Sequence, residues 1–557
     1  MTISSPSVLI IGGGPIGLTL AGDLGWRGIS STLVERGDGS VAQPKMDMIG
    51  IRSMEFCRRW GIVDWVESAG YNRDYPQDCA WVTDLNGYEF GREPFPAPRQ
   101  EKPPVHSPQK RERCPQNFFD PVLQRFARRS PCVSLEFNTE LLDFEDKGDG
   151  VVARVRDVRS GETRTLRADY LVGCDGGASM VRQQLGIEMV GDAVLTYTTN
   201  IIFRCENLEQ LHDKKPGYRF IFIGPEGTWA TLVAINGRDQ WRFSLIGDAD
   251  KRTLTEAETR AAIIRAVGKP FEFEILSTLP WVRRQLVARQ YRKGRAFIAG
   301  DAAHLTSPTG GFGMNTGLLD AVNLSWKVAA VIDGWGGEHL LDSYEVEQLP
   351  VAVRNVGEAT ENLRRMLSPR ILQPDARMFD GSDPAAEAAR REYGQRYTEM
   401  MSREWHSIGV HLGYVYEGSP VVVPDGTPPP PLQTSSYTPT TRPGSRAPHA
   451  WIGETKSTLD LFGKGFVLLR FGAKPPAVDL LQEEAARVRL PLQVVDLAGE
   501  AVEKLYERRL VLVRPDGQVA WRGDALPADV ATLVDTVRGA IAGERPPVSF
   551  DAVIAEA

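Results

Sequence analysis

Three glycine- and acid-rich segments carry residue types suited to holding a phosphorylated cofactor. The first is Gly12-Gly13-Gly14-Pro15-Ile16-Gly17, between the apolar run Val8–Ile11 and a helical apolar pattern over Leu18–Arg27. In such a turn Gly12 permits the bend, Gly14 lets a pyrophosphate approach the backbone, and Gly17 lets helix pack on strand, with Pro15 inside the turn. The helix N-terminus beyond it favours phosphate charge. Glu35, with Arg36 beside it, ends a second strand 18 residues past Gly17, the position of an acid that binds both ribose hydroxyls.

The second segment, Cys174-Asp175-Gly176-Gly177-Ala178-Ser179-Met180-Val181-Arg182, follows the buried run Tyr170–Cys174. Its amides, carboxylate and guanidinium suit a diphosphate and its ribose. Taken alone, an ordinary Asp-Gly turn explains it equally well. The third runs Gly300-Asp301-Ala302-Ala303-His304, Pro308, Gly310-Gly311-Phe312-Gly313-Met314-Asn315. A strand ends at Asp301, whose carboxylate could bind a polyol. The glycine turn then exposes amides at Gly313, Met314 and Asn315, a positive helix end that would stabilise an anion such as a reduced flavin.

These segments need strands at 8–11, 32–35, 170–174 and 296–300, each feeding a turn and a helix, hence an α/β fold. Between them, residues 196–205, 218–223, 229–235 and 240–247 alternate as antiparallel strands do. Residues 70–115 read as loops and short strands. Eight prolines over 424–448 indicate a linker or extended arm. Strands at 466–470, 492–496, 510–514 and 518–522, with helices at 476–488 and 527–542, follow it.

The chain has 557 residues, with 65 basic against 72 acidic, so electrostatics gives no reason to expect nucleic-acid binding. No apolar run approaches the roughly 18 residues of a membrane span, and no secretory leader is read at the N-terminus. Six cysteines without a CxxC pair argue against disulfides and against a metal site, and for a reduced, cytoplasmic protein.

In order and spacing, the three segments resemble the single-component flavoprotein aromatic hydroxylases, over residues 6–345. The resemblance implies FAD, NAD(P)H as reductant, and transfer of one oxygen atom of O2 to a small phenolic substrate by way of a C4a-hydroperoxyflavin. It places Gly12, Gly14, Pro15, Gly17, Glu35 and Arg36 at the adenosine end, and Arg52 and Gln116 near the diphosphate and ribityl chain. Asp175 and Arg182 belong to the motif tied to both FAD and the nicotinamide nucleotide. Asp301 matches the ribityl-binding acid, Pro308 the proline at the reacting flavin edge, and Gly313, Met314 and Asn315 the amides on the flavin pyrimidine. Asp47, five residues before Arg52, resembles a phenol-activating acid.

The tail segments Arg446–His449, Leu459–Gly463 and Val513–Arg522 resemble the C-terminal domain of the larger phenol hydroxylase branch, which is thioredoxin-like. The tail lacks cysteine, so a structural or dimer-supporting role is expected, in a homodimer. The expected layout is a Rossmann-type FAD domain (1–190 and 285–345) and an inserted, mostly antiparallel substrate sheet (191–284). A helical region (346–423), the linker (424–448) and the thioredoxin-like domain (449–557) follow. Arg219, Trp241 and Arg242 read as packing or surface positions, His304 as structural, and Arg58 with Arg59 as a solvated helix face. Epoxidation or Baeyer–Villiger oxidation on the same fold, and a non-catalytic flavin-bound module, remain the alternatives.

Overall fold

A computed structural model describes residues 6–248, 250–251, 253–367, 374–543 and 546–551. The outer ends of the first and last expected domains, and residues 368–373 of the helical region, lie outside the described residues.

A six-stranded sheet carries the glycine segments. Its order is Arg292–Lys293, Ala296–Ile298, Tyr170–Gly173, Val8–Ile11, Ser31–Glu35, Val133–Phe137, all parallel except the first pair. Both faces of its central strands are buried, which is why they read as continuous apolar runs rather than alternating ones. Helices Pro15–Arg27 and Phe312–Ile332 pack together against this sheet. The alternating stretch Thr139–Ala168 forms a separate three-stranded antiparallel sheet.

The second large sheet has eight strands in the order His304–Leu305, Glu274–Ala288, Met189–Arg204, Gln240–Asp248, Gly227–Ala234, Arg219–Gly224, Cys79–Val82, Glu89–Glu93. It is antiparallel except where Arg219–Gly224 meets Cys79–Val82. It therefore reaches outside the expected 191–284 segment, taking two strands from the region read as loops and short strands. Its faces differ in chemistry. Phe203, Phe243, Leu232, Phe222 and Phe220 pack under the helix Glu256–Val267. The opposite face presents Thr198, Asn200, Thr231 and Ser244 to a cavity, with Ser244 Oγ donating to Asn200 Oδ1 at 2.7 Å.

The helices Ser343–Leu367 and Pro384–Trp405 fill the expected helical region. The proline-rich stretch departs from the linker expectation. Residues 424–433 carry no regular structure and are mostly exposed, but 441–449 are buried. Arg446 there ion-pairs with Glu55 on the Ile51–Trp60 helix, fastening the stretch to the main body. The C-terminal unit has a four-stranded sheet, Leu492–Leu497, Phe466–Phe471, Leu510–Val513, Val519–Gly523, whose first pair is parallel and the rest antiparallel. The sequence reading placed all four strands and missed the helix Glu500–Tyr506.

Buried charge joins this unit to the rest. Glu347 accepts from Lys327 Nζ at 2.6 Å and from Arg514 Nη2 at 2.9 Å, and all three side chains are fully buried. Trp326 Nε1 donates to Asp516 at 3.2 Å. Arg58 pairs with Asp460 across the same boundary, and Arg59 is half-buried, with desolvation lowering its pKa to about 10. The Arg58/Arg59 pair is thus an inter-unit contact, not a solvated face. Among the described residues no helix is long and apolar enough to cross a membrane.

Candidate active site

The strand Val8–Ile11 delivers the first glycine turn into the wall of a cavity of about 370 Å³ lying between the two large sheets. Gly12 has φ +106°, and a Cβ there would strike the Cys174 carbonyl oxygen; at Gly17 it would strike the Gly12 carbonyl oxygen. Gly14 differs. It caps the helix, lines the cavity, has φ −76°, and nothing lies within 4 Å of a Cβ built on it. The protein itself leaves that space open, so the position is selected for an approach from the cavity side, as a pyrophosphate requires. Pro15 also lines the cavity. Glu35 accepts from the backbone N–H of Gly13 and of Gly37, each at 2.7 Å, which fixes the acid beside the turn; Arg36 is exposed next to it.

Further along the wall lie Gln116, Asp301, Pro308, Gly313 and Met314. Gln116 Oε1 accepts from the Lys45 backbone and its Nε2 donates to Asp120 at 3.1 Å. Asp301 sits on a one-turn 3₁₀ segment where the Ala296–Ile298 strand ends. Behind it, His304 Nε2 and the Gly300 N–H both engage Asp320 Oδ2, at 2.7 and 2.9 Å. Burial pushes the His304 pKa down, but Asp320 outweighs it and holds it above the ordinary value. Gly313 and Met314 open the Phe312–Ile332 helix, where backbone N–H groups have no intrahelical acceptor. This set of amides, carboxylates and open glycine space fits a dinucleotide with a polyol chain, so the residues present suit FAD.

Three expected cofactor residues sit elsewhere than their motifs implied, and Asn315, whose backbone amide carried the expectation, is set apart by its side chain alone. Arg52 is off the cavity wall. Its guanidinium is buried against Glu55 at 2.8 Å, Tyr414 and the Asp516 carbonyl, so it joins the C-terminal unit to the main body. Asp175 takes the Ser179 hydroxyl and the Val181 N–H, capping the short Met180–Gln184 helix. Arg182 donates to the carbonyls of Ala302 and Gly177, stapling the second segment to the third. It is Cys174 and Gly176 of this segment that line the cavity. Asn315 turns its side chain inward, accepting from Gly50 N–H at 2.8 Å and Ser53 at 2.7 Å.

Asp47 does line the cavity, but both its oxygens are engaged. Oδ1 takes Arg113 at 3.0 Å; Oδ2 takes Arg242 at 3.0 Å and the Tyr218 hydroxyl at 2.6 Å. Burial pushes the Asp47 carboxyl up, yet the two guanidiniums and the phenol outweigh it and hold it below the ordinary range. A carboxylate so satisfied is a poor direct acceptor for a substrate proton, which corrects the expected role. Tyr218, whose pKa burial drives well above the phenolic value, keeps its proton on Asp47. Arg219 faces the cavity too, paired with Glu404 at 2.9 Å. Arg219 and Arg242 are therefore wall residues, while Trp241 is core, 2% exposed, with its indole N–H on the Cys205 carbonyl. The signal was available: Arg219 stands between Tyr218 and the apolar run Phe220–Ile223, and a lone charge in a buried strand needs a partner.

Residues 5–359 match the family described as FAD binding domain, and 440–542 that described as aromatic-ring hydroxylase, C-terminal. The FAD-dependent monooxygenase apdD of Emericella nidulans is 31% identical, covering 94% of this chain and 88% of its own. The 2,4-dichlorophenol 6-monooxygenase of Cupriavidus pinatubonensis is 29% identical over 95% and 96%. The rebeccamycin biosynthetic enzyme RebC, solved with reduced flavin, superposes with a TM-score of 0.89 at 39% identity over 96% and 99% of the two chains. With its glycine turn, its carboxylates and its oxygenated sheet face around one cavity, the chain belongs to the FAD-dependent aromatic-ring monooxygenases, enzymes that hydroxylate aromatic compounds.

Proposed function

We propose that this enzyme hydroxylates a phenolic compound whose hydroxyl docks on Tyr218. The observation that carries the reading is the line Tyr218–Asp47, clamped by Arg113 and Arg242 on the wall that also holds Pro308. Because the Tyr218 hydroxyl donates its hydrogen bond to Asp47, its oxygen is left to accept from a substrate O–H. The ionised Asp47 strengthens that acceptor through the shared hydrogen bond. Electron density then rises at the ring carbons ortho and para to the substrate oxygen, where an electrophilic oxygen adds. Bound FAD supplies the reductive activation of O2 with electrons from NAD(P)H. The polar sheet face of Thr198, Asn200, Thr231 and Ser244 orients the ring system, and the enclosing sheets exclude water.

FAD in this reading is held by Gly12, Gly14, Pro15, Gly17 and Glu35 at the adenosine end, Gln116 and Asp301 along the chain, and the Gly313 and Met314 amides at the ring. Gly14→Ala separates fold from cofactor. Alanine suits the backbone there and should stabilise the apoprotein by about 0.4–1 kcal/mol, while its methyl group fills the pyrophosphate approach. The expected result is an unchanged or slightly raised unfolding midpoint without FAD, and FAD affinity lower on the order of tenfold. Equal FAD affinity in both proteins removes Gly14 from the site. Asp301→Ala should likewise lower FAD retention, through loss of a charge-assisted bond of about 1.5–3 kcal/mol, read as flavin per chain after gel filtration.

The function itself is tested by screening phenols for stimulated NAD(P)H oxidation in the FAD-loaded enzyme, with product mass. A product one oxygen atom heavier, with the added atom on a ring carbon as a phenolic hydroxyl, supports the reading. An epoxide or a ring-expanded ester points to the other oxygenations this fold performs, and no stimulation removes phenols as substrates. A cytoplasmic homodimer remains part of the proposal, and sedimentation of the holoenzyme tests the assembly.

A further inference from the structure

One end of the cavity carries polar groups that the phenol site leaves unused. Glu404 ends the Pro384–Trp405 helix, is 5% exposed, and lines the cavity. Its Oε1 accepts from Arg219 Nη1 at 2.9 Å and from the Gly310 N–H at 3.3 Å, which ties it to the loop bearing Pro308. Its Oε2 is buried with no hydrogen-bond partner among the described residues. The adjacent Trp405 also lines the cavity, and its Nε1–H is likewise buried and unpartnered. A buried acceptor and a buried donor, each unmet, cost on the order of 1–3 kcal/mol apiece. Such groups call for a partner, which on a cavity wall a ligand or an ordered water can supply.

The surroundings hold both in place. Arg219 lies over the Trp405 ring at 5.1 Å, so the ion pair and the indole form one packed unit. Arg283, 5% exposed on the Glu274–Ala288 strand, donates to two hydroxyls, Thr198 at 2.9 Å and Ser307 at 3.3 Å. It adds positive charge to this end of the wall, and among the described residues no carboxylate forms an ion pair with it.

We infer that Glu404 and Trp405 bind a second polar edge of the substrate, one that presents an O–H or N–H beside a carbonyl oxygen. The substrate class is then an aromatic with a hydroxy-carbonyl or lactam edge in addition to the phenol at Tyr218. Glu404 Oε2 accepts the edge donor; Trp405 Nε1–H donates to the carbonyl, whose partial negative charge the Arg283 guanidinium favours. This rests on the phenol-hydroxylase reading and adds the residues that select among phenols.

The test uses the FAD-loaded enzyme, with binding read from the change in flavin absorbance, which needs no turnover. The probes are paired phenols, 2-hydroxybenzamide against phenol, and 1,8-dihydroxyanthraquinone against 1-naphthol. Wild type should bind the hydroxy-carbonyl member of each pair about tenfold or more tightly. Trp405→Phe keeps the stacked ring and the Arg219–Glu404 pair and removes only the N–H, so it should cut that preference severalfold while leaving the simple phenols unchanged. Glu404→Gln should cut it further; because it also unpairs Arg219, Trp405→Phe remains decisive if Glu404→Gln does not fold. Equal wild-type affinity within each pair, or a preference that survives Trp405→Phe, overturns the inference. Binding by neither member overturns it as well. Simple phenols that bind and stimulate NAD(P)H oxidation with no preference leave the phenol reading standing and sink only this one.

Discussion

Tyr218→Phe should leave flavin reduction by NAD(P)H near normal and lower oxygen transfer by about 10–100-fold, the worth of a lost charge-assisted hydrogen bond of about 1.5–3 kcal/mol. The ring and its packing stay; only the oxygen between substrate and Asp47 is lost. Reducing equivalents should then emerge as hydrogen peroxide in place of product. Stopped-flow separation of reduction from oxygen transfer, with peroxide assayed alongside, measures both. A normal oxygen-transfer rate in the Phe variant would move the activation to another group. Asp47→Asn is the less clean probe. It leaves the Arg113 and Arg242 guanidiniums in a low-dielectric site without their carboxylate, and breaking a buried pair costs about 3–5 kcal/mol. Lost activity there would mix misfolding with chemistry.

Arg514→Met should loosen the C-terminal unit more than Lys327→Met does, although both side chains meet Glu347 and both are fully buried. Burial lowers the Lys327 pKa, Glu347 opposes it, and the net value is about 8. Lysine can therefore shed its proton when its surroundings change; arginine cannot. Glu347→Gln should cost about 3–5 kcal/mol, chiefly by stranding the Arg514 charge. The exposed pair Glu361–Arg364 provides the contrast: Glu361→Gln should cost under about 1 kcal/mol. Limited proteolysis and amide exchange across 440–542 measure the opening directly. Protection there unchanged in Glu347→Gln would deny the cluster its role. Cutting the chain at residue 440 removes Arg514 altogether and uncovers Trp326 and Trp335, which pack on Phe466, so that form should lose solubility.

Acid should act on the same boundary. Glu55, between Arg52 and Arg446, is pushed up by burial but held down to about 2 by the two guanidiniums. Its folded pKa is below the ordinary 4.5. The stability it contributes is complete above about pH 4.5 and declines as pH falls toward 2.

What could be read from the sequence was what local rules control. Val8–Ile11, Tyr170–Gly173 and the glycine turns are legible because a buried parallel strand, a tight bend and a helix start each have a short-range signature. Cys79–Val82 was read no more finely than as part of a stretch of loops and short strands, because its run is four residues long and one of its two pairings is with Arg219–Gly224, more than a hundred residues away. Arg52 misled for a related reason: its spacing from Asp47 is local, but its partners Tyr414 and Asp516 are not. Asp175 and Arg182 carry the right types for phosphate work, yet spend their hydrogen bonds on neighbouring backbone and the Ser179 hydroxyl. Tyr218, Arg242 and Glu404 have no motif at all, since what makes them a site is the cavity three separate segments enclose.

The order of strands in the two large sheets also sets when this protein can first exist during synthesis. The parallel sheet waits for Ala296–Ile298, and the eight-stranded sheet pairs Cys79–Val82 early in the chain while ending at His304–Leu305. Neither core can close until some 300 residues have left the ribosome, roughly 15–60 s at 5–20 residues per second. From their own synthesis until then Phe220, Phe222 and Phe243 lack their finished sheet, an exposure that a chaperone would shield and that slower translation would lengthen. Yield in a fast-growing host should therefore respond to growth temperature and chaperone supply more than to the stability of the finished enzyme.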